Sequence, residues 1–513
     1  MYNKGDAKGK RNIIIGKVHP RRTRRLNPRA IQGTLSCVPK IPVISVEQMR
    51  QWEKATWAAG KTGPEVIQQV GRLLAQRLLQ LTRPGDTLWL IAGKGHNGDD
   101  ARAAQPYLPD RKVLLTNVDD PRKGLAEFAQ LLPSRGGPPA RWIVDALFGI
   151  GLNRPLNEDW RKLIEAINGC GLPILAVDVP SGLNAQTGQS EGAAIKAALT
   201  LTLGAPKKGL LAAPALTGRL EVAPDIGLIP CPFEEELNWT WPGEFAGLPP
   251  RREVTGNKGD YGQVAIVAGS FGYHGAAVLA ARGALRAQPG LVTVFPQDSV
   301  YVPVAAQLQS AMVHPWRAGA PPPRKCGSIL FGPGLAEEGL PDTLAKELRS
   351  LWRTWPLAMI VDASALDWLE TVPAPAGSVR VITPHPGEAG RLLRCSAEQV
   401  QAGRVAALRA LSKRFCNCWV VLKGHQTLAG RATGDIFVNS SGNPHLAQGG
   451  SGDLLSGYLA GLLAQPAWRQ DPLLALRYGV WQHGAAADYL QETQSSWTIE
   501  DLAACLGRIS PAH

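Results

Sequence analysis

The stretch from Gly442 to Gly457, GNPHLAQGGSGDLLSG, constrains this chain more than any other. Three glycines and a serine precede Asp453, and Leu454, Leu455, Tyr458, Leu459, Leu462 and Leu463 then recur with helical spacing. A glycine-rich loop therefore opens a helix here. Such a corner is an anion site. Glycine lets the backbone approach a phosphate closely, and the first-turn N–H groups and the helix dipole hold its charge. A carboxylate repels phosphate, so Asp453 makes chemical sense if it removes a proton from a hydroxyl that meets the phosphate there. For this motif alone the competing reading is a plain glycine turn before a helix.

The chain has 513 residues, which predicts two to four domains. Its formal charge of +13 is concentrated at one end. Residues 1–40 hold eleven Lys/Arg against Asp6, a net of +10, leaving +3 for everything else. That segment lacks apolar periodicity and reads as a disordered basic tail, or as translation from too early a start codon. No apolar run reaches the length of a signal peptide or a membrane span, so neither a membrane nor a nucleic-acid partner is expected of the body. The eight cysteines contain no C-x-x-C pair, which excludes a disulfide framework or zinc site of the usual kind and predicts a reducing cytoplasm. Cys416 and Cys418 read as core thiols.

Ser45-Val46-Glu47-Gln48 is a capping box that starts a helix, and a second helix is expected over 64–81. The apolar strand 87–92 then runs into Gly93-Lys94-Gly95-His96-Asn97-Gly98-Asp99-Asp100. Strand, glycine loop and helix form the ligand-binding corner of a doubly wound sheet; without Gly-Lys-Ser/Thr it is no P-loop. Two further strands end in acids, at Asp145 and at Asp178 with Ser181 nearby. Parallel strands deliver their carboxyl ends to one edge, so Asn97, Asp145, Asp178 and Ser181 are expected to converge there, as ligands for a hard cation or, for a carboxylate, as a base. Taken singly, each acid is more simply a cap or turn residue.

V-D-A-L-F-G-x-G-L, V-D-V-P-S-G-L-N-A-x-T-G, G-A-P-K-K-G and Asp225-Ile226-Gly227 resemble the NAD(P)H-hydrate epimerase family over about residues 41–229. The resemblance implies a Rossmann-like domain that inverts the hydrated C6 centre of damaged nicotinamide cofactors, with K+ near the site. It implies Asn97, Asp145 and Ser181 as potassium ligands and Asp178 as substrate contact and acid/base. His96, Asn97, Gly98, Asp99 and Asp100, with Gly149, Ile150, Gly151, Leu152, Asn153, Arg154 and Pro155, would line the pocket. The family's N-N-G-G-D-G loop stands here as HNGDDA, its M-E-N-A-G helix as IQQVG (67–71) and its A-D-x-T segment as AALT (197–200).

Residues 230–250 show neither helical nor strand periodicity and read as a linker, with Trp239 and Trp241 packing on a neighbouring surface. After it, strands end successively in Gly269-Ser270, Gly332-Pro333-Gly334, Asp362, His385-Pro386-Gly387-Glu388 and Lys423-Gly424-His425-Gln426-Thr427, before the opening motif. The last set offers a nucleotide phosphate a cation, close backbone and a hydroxyl, while His385 and Glu388 could hydrogen-bond a substrate. An alanine-rich helix over 275–287 permits close backbone approach, and Arg282 and Arg286 on it read as solvated.

N-K-G-x-x-G, G-P-G-L, D-A-x-A-L, T-P-H-P-G-E, L-K-G-x-x-T and G-G-S-G-D-L-L-S-G, in that order, resemble the ribokinase-like NAD(P)H-hydrate dehydratases over about residues 251–507. The resemblance implies phosphorylation of the C6 hydroxyl of NADHX or NADPHX by ADP with Mg2+, then loss of phosphate pushed by the ring nitrogen. It implies Asp453 as base and substrate contact, and Gly449, Gly450, Ser451 and Gly452 as the anion hole. Lys423, Gly424, His425, Gln426 and Thr427 would hold ADP; Ala276, Gly334 and His385 would touch the hydrate. The expected whole is an α/β, two-domain cytoplasmic metabolite-repair enzyme that assembles as a homo-oligomer. Its parts are a tail (1–40), an epimerase-like domain (41–229), a linker (230–250) and a ribokinase-like domain (251–513). Two alternatives stay open: a dehydratase joined to a degenerate epimerase module, and a ribokinase-like small-molecule kinase. Nucleic-acid binding through the tail is a third.

Overall fold

The computed structural model describes residues 40–132, 140–319 and 326–511. The basic tail, apart from Lys40, and Cys37 lie outside them.

Six strands form the first sheet, in the order Lys112–Asn117, Thr87–Ala92, Ala140–Ala146, Ile174–Val177, Leu199–Leu203, Arg219–Ala223, and every pairing is parallel. Parallel strands covered on both faces need continuous apolar runs, and Thr87–Ala92, Ile174–Val177 and Leu199–Leu203 are buried along their whole length. The helices form where their caps predict them. Ser45 Oγ accepts from the Gln48 N–H at 3.1 Å while Gln48 Oε1 accepts from the Ser45 N–H at 2.8 Å, fixing Val46–Ala58. The second helix, Gly63–Leu81, starts one residue before Pro64. At the carboxyl end of the sheet, Gly93 and Gly98 let two turns cross. A Cβ on Gly98 would lie 2.0 Å from the Gly93 carbonyl oxygen, and one on Gly93 2.2 Å from that of Leu147.

Eleven strands form the second sheet. Its parallel centre runs Trp419–Leu422, Val379–Ile382, Ala358–Val361, Cys326–Phe331, Gln263–Val267, Leu291–Phe295 and Met312–Val313. Leu428–Gly430 and Ile436–Val438 continue it antiparallel. The helix Ser451–Ala464 is buried from Leu454 to its end and packs on His274–Arg286 through small residues. Cβ atoms on Gly457 and Gly283 would come within 1.9 Å of the Ala280 and 2.1 Å of the Leu454 carbonyl oxygens. The alanine-rich helix thus permits the close approach its composition predicts, and Arg286 is exposed with Arg282 half-buried.

The stretch 230–250 is more than a tether. Leu237–Trp239 pairs parallel with Ile436–Val438, and Ile41–Pro42 pairs antiparallel with Leu237–Trp239, so both add to the second sheet. Trp239 is buried, Trp241 packs against the core, and Phe245 lies fully buried against Tyr478 and Trp481 at ring separations of 5.5 and 5.4 Å. A three-residue strand is too short to display a period of two. Of the two cysteines expected in the core, Cys418 is buried but Cys416 is exposed, in a left-handed turn with φ 56°.

Candidate active sites

A cavity of 550 Å³ opens at the carboxyl edge of the first sheet. His96, Asn97, Asp100, Gly149–Arg154 and Asp178 line it, as does Glu53 from the first helix. Gly98, Asp99 and Pro155 do not. Gly98 is used for the crossing with Gly93, and Asp99 turns to Arg102, whose Nη2 donates to it at 2.8 Å. Arg102 also reaches Asn117 and the Gly93 carbonyl. The charge at position 99, where the family loop has glycine, is therefore paired outside the cavity.

At the cavity wall, Asp145, Ser181 and Asn97 meet around Phe148. Asp145 accepts from the Ser181 N–H at 2.8 Å and from Ser181 Oγ at 2.7 Å. Ser181 Oγ accepts from the Phe148 N–H at 2.9 Å, and Asn97 Nδ2 donates to the Phe148 carbonyl at 3.0 Å. Burial pushes the Asp145 carboxyl up to about 6, against the hydrogen bonds from Ser181 and Leu147. A carboxylate, a hydroxyl, an amide and a peptide carbonyl give an oxygen-rich, singly charged donor set that fits a hard monovalent cation.

Asp178 stands at the end of its strand in a left-handed conformation, φ 62°. Its Oδ1 accepts from Lys207 Nζ at 2.6 Å, Thr202 Oγ1 at 3.1 Å and the Leu203 N–H at 3.1 Å. Lys207 is fully buried and also donates to the Leu203 carbonyl at 2.9 Å and to Thr202 Oγ1 at 3.2 Å. Oδ2 receives no hydrogen bond from a described residue.

In the second sheet the loop Gly449–Gly452 and the start of helix Ser451–Ala464 form the expected corner. Gly450 has φ 92°, and a Cβ there would lie 2.3 Å from Leu279 Cδ1, so only glycine fits. Asp453 sits half-buried in the first turn. Lys423 Nζ approaches from the opposite wall: it donates to Asp362 Oδ1 at 2.8 Å, lies 3.9 Å from Glu388 Oε2, and would stand 3.2 Å from a Cβ on Gly452. Burial acts to lower the Lys423 ammonium, but Asp362, Glu388 and Asp453 outweigh it and the group is raised. Asp453 is pushed up to about 6, first by burial, then by Asp362 and Glu388, with Lys423 opposing.

Lys423–Thr427 is the turn of a hairpin between Trp419–Leu422 and Leu428–Gly430, with Gly424 at φ 126° and Gln426 at φ 51°. Gly334 and Ala276 come together, their Cβ positions 2.7 Å apart. His385 has a structural duty as well: its Nδ1 accepts from the Gly387 N–H at 3.0 Å, while Glu388 Oε2 accepts from the His385 N–H at 2.7 Å, capping helix Pro386–Leu393. Its Nε2 lies 3.5 Å from Glu388 Oε1. Among the described residues no cluster of three His, Cys, Asp or Glu side chains forms a metal cage. Asp453 beside a phosphate loop suits Mg2+, which binds through one or two carboxylates plus phosphate oxygens.

Residues 264–510 match the NAD(P)H-hydrate dehydratase family, and residues 116–209 match the family described as YjeF-related protein N-terminus. The chain is 34% identical to the bifunctional NAD(P)H-hydrate repair enzyme Nnr of Gloeobacter violaceus, over 93% of this chain and 98% of the relative. It is 32% identical to the protein of that name from Escherichia coli K12, over 91% and 92%. The chain belongs to the bifunctional NAD(P)H-hydrate repair enzymes. Among solved structures, the ADP/ATP-dependent NAD(P)H-hydrate dehydratase of Bacillus subtilis, co-crystallized with ATP/Mg2+, is 28% identical with a TM-score of 0.47, covering 53% of this chain and 96% of that one.

Several residues of this repair enzyme escaped the sequence reading. Lys207 lies in the quoted G-A-P-K-K-G motif, but its partner Asp178 is 29 residues away and meets it only in the folded sheet. Asp362 was visible as a strand end, without its pairing to Lys423. Arg404 backs the hairpin, donating to the Leu422 and Lys423 carbonyls at 3.0 and 3.3 Å, and burial lowers its guanidinium to about 10. Glu53 enters the first cavity from a helix whose sequence signal was its capping box alone; burial first, then Asp178, raises its carboxyl.

Proposed function

We propose that this chain restores hydrated NADH and NADPH in two steps. Residues 41–229 invert the C6 centre of NADHX or NADPHX, and residues 251–513 dehydrate the S form with ADP as phosphoryl donor. The strand Leu237–Trp239 joins the two through the second sheet. The carrying observation is the Asp453 carboxylate beside the Gly449–Gly452 loop, facing Lys423 and raised to about 6. A base of that strength takes the proton of the C6 hydroxyl near neutral pH. The N–H groups of the loop and the Lys423 ammonium hold phosphate oxygens, and Gly424, His425, Gln426 and Thr427 border the nucleotide. Ala276, Gly334 and His385 seat the hydrate. ADP with Mg2+ supplies the phosphoryl group.

In the first cavity Asp178 is the acid/base group and Asn97, Asp145 and Ser181 hold K+, whose charge would favour an electron-rich ring bound nearby. Because Asp99 is paired with Arg102, the altered loop is compatible with an open pocket and an active epimerase. The seven described cysteines are free, which supports a cytoplasmic location, and the family resemblance supports a homo-oligomer. The test is recovery of the 340 nm absorbance of reduced cofactor from a mixed R/S hydrate pool, with ADP, magnesium and potassium. Complete recovery is expected. Recovery that stops at the S fraction refutes the epimerase, and a persistent phosphorylated product refutes the dehydratase in favour of a kinase.

A further inference from the structure

The first cavity holds a second carboxyl group that the reading above does not use. Asp100 projects from the second turn of helix His96–Ala104 into the cavity shared with Asp178 and is 6% exposed. No described residue donates a hydrogen bond to it. Every other buried carboxylate of this site has an anchor: Asp145 has Ser181, and Asp178 has Lys207, Thr202 and the Leu203 N–H. Asp178 is bound through Oδ1 alone, so its free oxygen is Oδ2. The two carboxyls come from different walls, one from the helix after the strand Thr87–Ala92 and one from the end of the strand Ile174–Val177.

We propose that Asp100 is a catalytic residue of the epimerisation, acting across the C6 centre from Asp178, with Lys207 as the positioning residue that leaves only Oδ2 of Asp178 free to exchange a proton. The proposal rests on the epimerase reading of this cavity. Inversion of a C6 hydrate needs a proton donor on the face the hydroxyl leaves and an acceptor on the face water enters. The C6–O bond breaks as the ring nitrogen's electron pair moves into an N1–C6 double bond, and the hydroxyl takes a proton from one carboxylic acid and departs as water. Water on the opposite face then bonds to C6, gives a proton to the other carboxylate, and the pair returns to N1. One proton has moved from one carboxyl to the other. The same passage from the opposite epimer, or exchange with solvent, restores it.

Such a pair must hold one group protonated and the other ionised at the same pH. Burial, followed by the charges of Asp178, Asp99 and Glu53, raises Asp100 to about 8, so it carries a proton at neutral pH. The Lys207 ammonium at 2.6 Å compensates the negative charge of Asp178 instead. The environment therefore divides the roles without any group from the second domain.

The experiment uses the full chain without ADP, separated R and S hydrates, and water enriched in 18O, following inversion and oxygen exchange at C6. Asp100→Asn and Asp178→Asn are each expected to slow inversion at least about 100-fold. Each variant retains exchange, without inversion, in one epimer only, and in opposite epimers. Adding Asp100→Asn to Asp178→Asn abolishes the exchange that remains. Asp100→Asn that inverts within tenfold of wild type overturns the proposal, and so does Asp178→Asn that exchanges both epimers or neither. The Asp178→Asn arm stands even if Asp100→Asn disturbs its helix. A wild-type chain that fails to invert either epimer would instead overturn the epimerase reading itself.

Discussion

Replacing Asp453 by asparagine should silence dehydration and make the protein more stable, and the second effect is worked directly from the site. Asp362, Glu388 and Asp453 surround one ammonium, Lys423, which is bonded to Asp362 rather than to Asp453. The Asp453 carboxyl rises from 3.8 to about 6, a difference of about two pH units, or about 3 kcal/mol at most. Well below 3.8 the carboxyl is protonated in both the folded and the unfolded chain and contributes nothing. As pH rises from there through about 6, the unfolded chain loses the proton first, so stability falls, and above that the whole penalty is present. An asparagine side chain at this position never ionises. The variant should therefore approach wild type near pH 4 and exceed it at pH 7.5 by up to about 3 kcal/mol, or roughly 6–10 °C in the melting temperature of a domain this size. Comparing the two proteins at the same pH cancels the carboxylates remote from this cluster, and the 15 tryptophans give an intrinsic fluorescence signal. Equal or lower stability at pH 7.5, or a difference that persists unchanged at pH 4, would refute the electrostatic account. Wild-type dehydration should also decline as pH falls through about 6, while the residual activity of the variant should not follow that profile.

Lys423→Met leaves three carboxylates without their ammonium; a loss of about 3–5 kcal/mol in urea unfolding and at least about 100-fold in dehydration is expected, and near-wild-type stability would contradict the pairing. Gly450→Ala forces a side chain into φ 92° against Leu279, so a loss of about 1–3 kcal/mol is expected together with weaker ADP binding by calorimetry. Replacing potassium with a large organic cation should slow epimerisation and leave dehydration of the S form unchanged. Equal slowing of both steps would place the ion elsewhere.

Much of this architecture could be read from strand ends. Asp145, Asp178, Asp362, Lys423 and Asp453 all stand beside an apolar run, the first four where a strand stops, and parallel pairing brings such ends to one edge without further information. What sequence could not supply was pairing between distant ends. Lys207 shows no periodicity of its own, and its meaning depends on the strand Leu199–Leu203 lying beside Ile174–Val177. The strand Leu237–Trp239, second from the edge, stayed hidden for another reason: three residues carry no alternation, and its hydrogen bonds go to strands far away in the chain on both sides. Asp99 is the opposite case. Its neutralisation by Arg102 is an i, i+3 contact within one helix, and the spacing was present in the sequence.

The two sites use the same pair of residue types in opposite ways. In the first, the buried Lys207 binds Asp178, the proposed acid/base group, and occupies one of its oxygens, so the remaining oxygen is fixed in place and its charge is compensated. In the second, Lys423 is drawn to Asp362, and no described residue hydrogen-bonds the Asp453 carboxyl. An anchored carboxylate is held in a defined direction with one oxygen free, which suits reversible exchange with water. A carboxylate left unpaired among like charges is a stronger base, and an acceptor at about 6 is the one able to take a proton from a C6 hydroxyl as it attacks phosphate. On the proposed roles, the position of one ammonium relative to the reacting oxygen separates an inversion site from a phosphoryl-transfer site within a single chain.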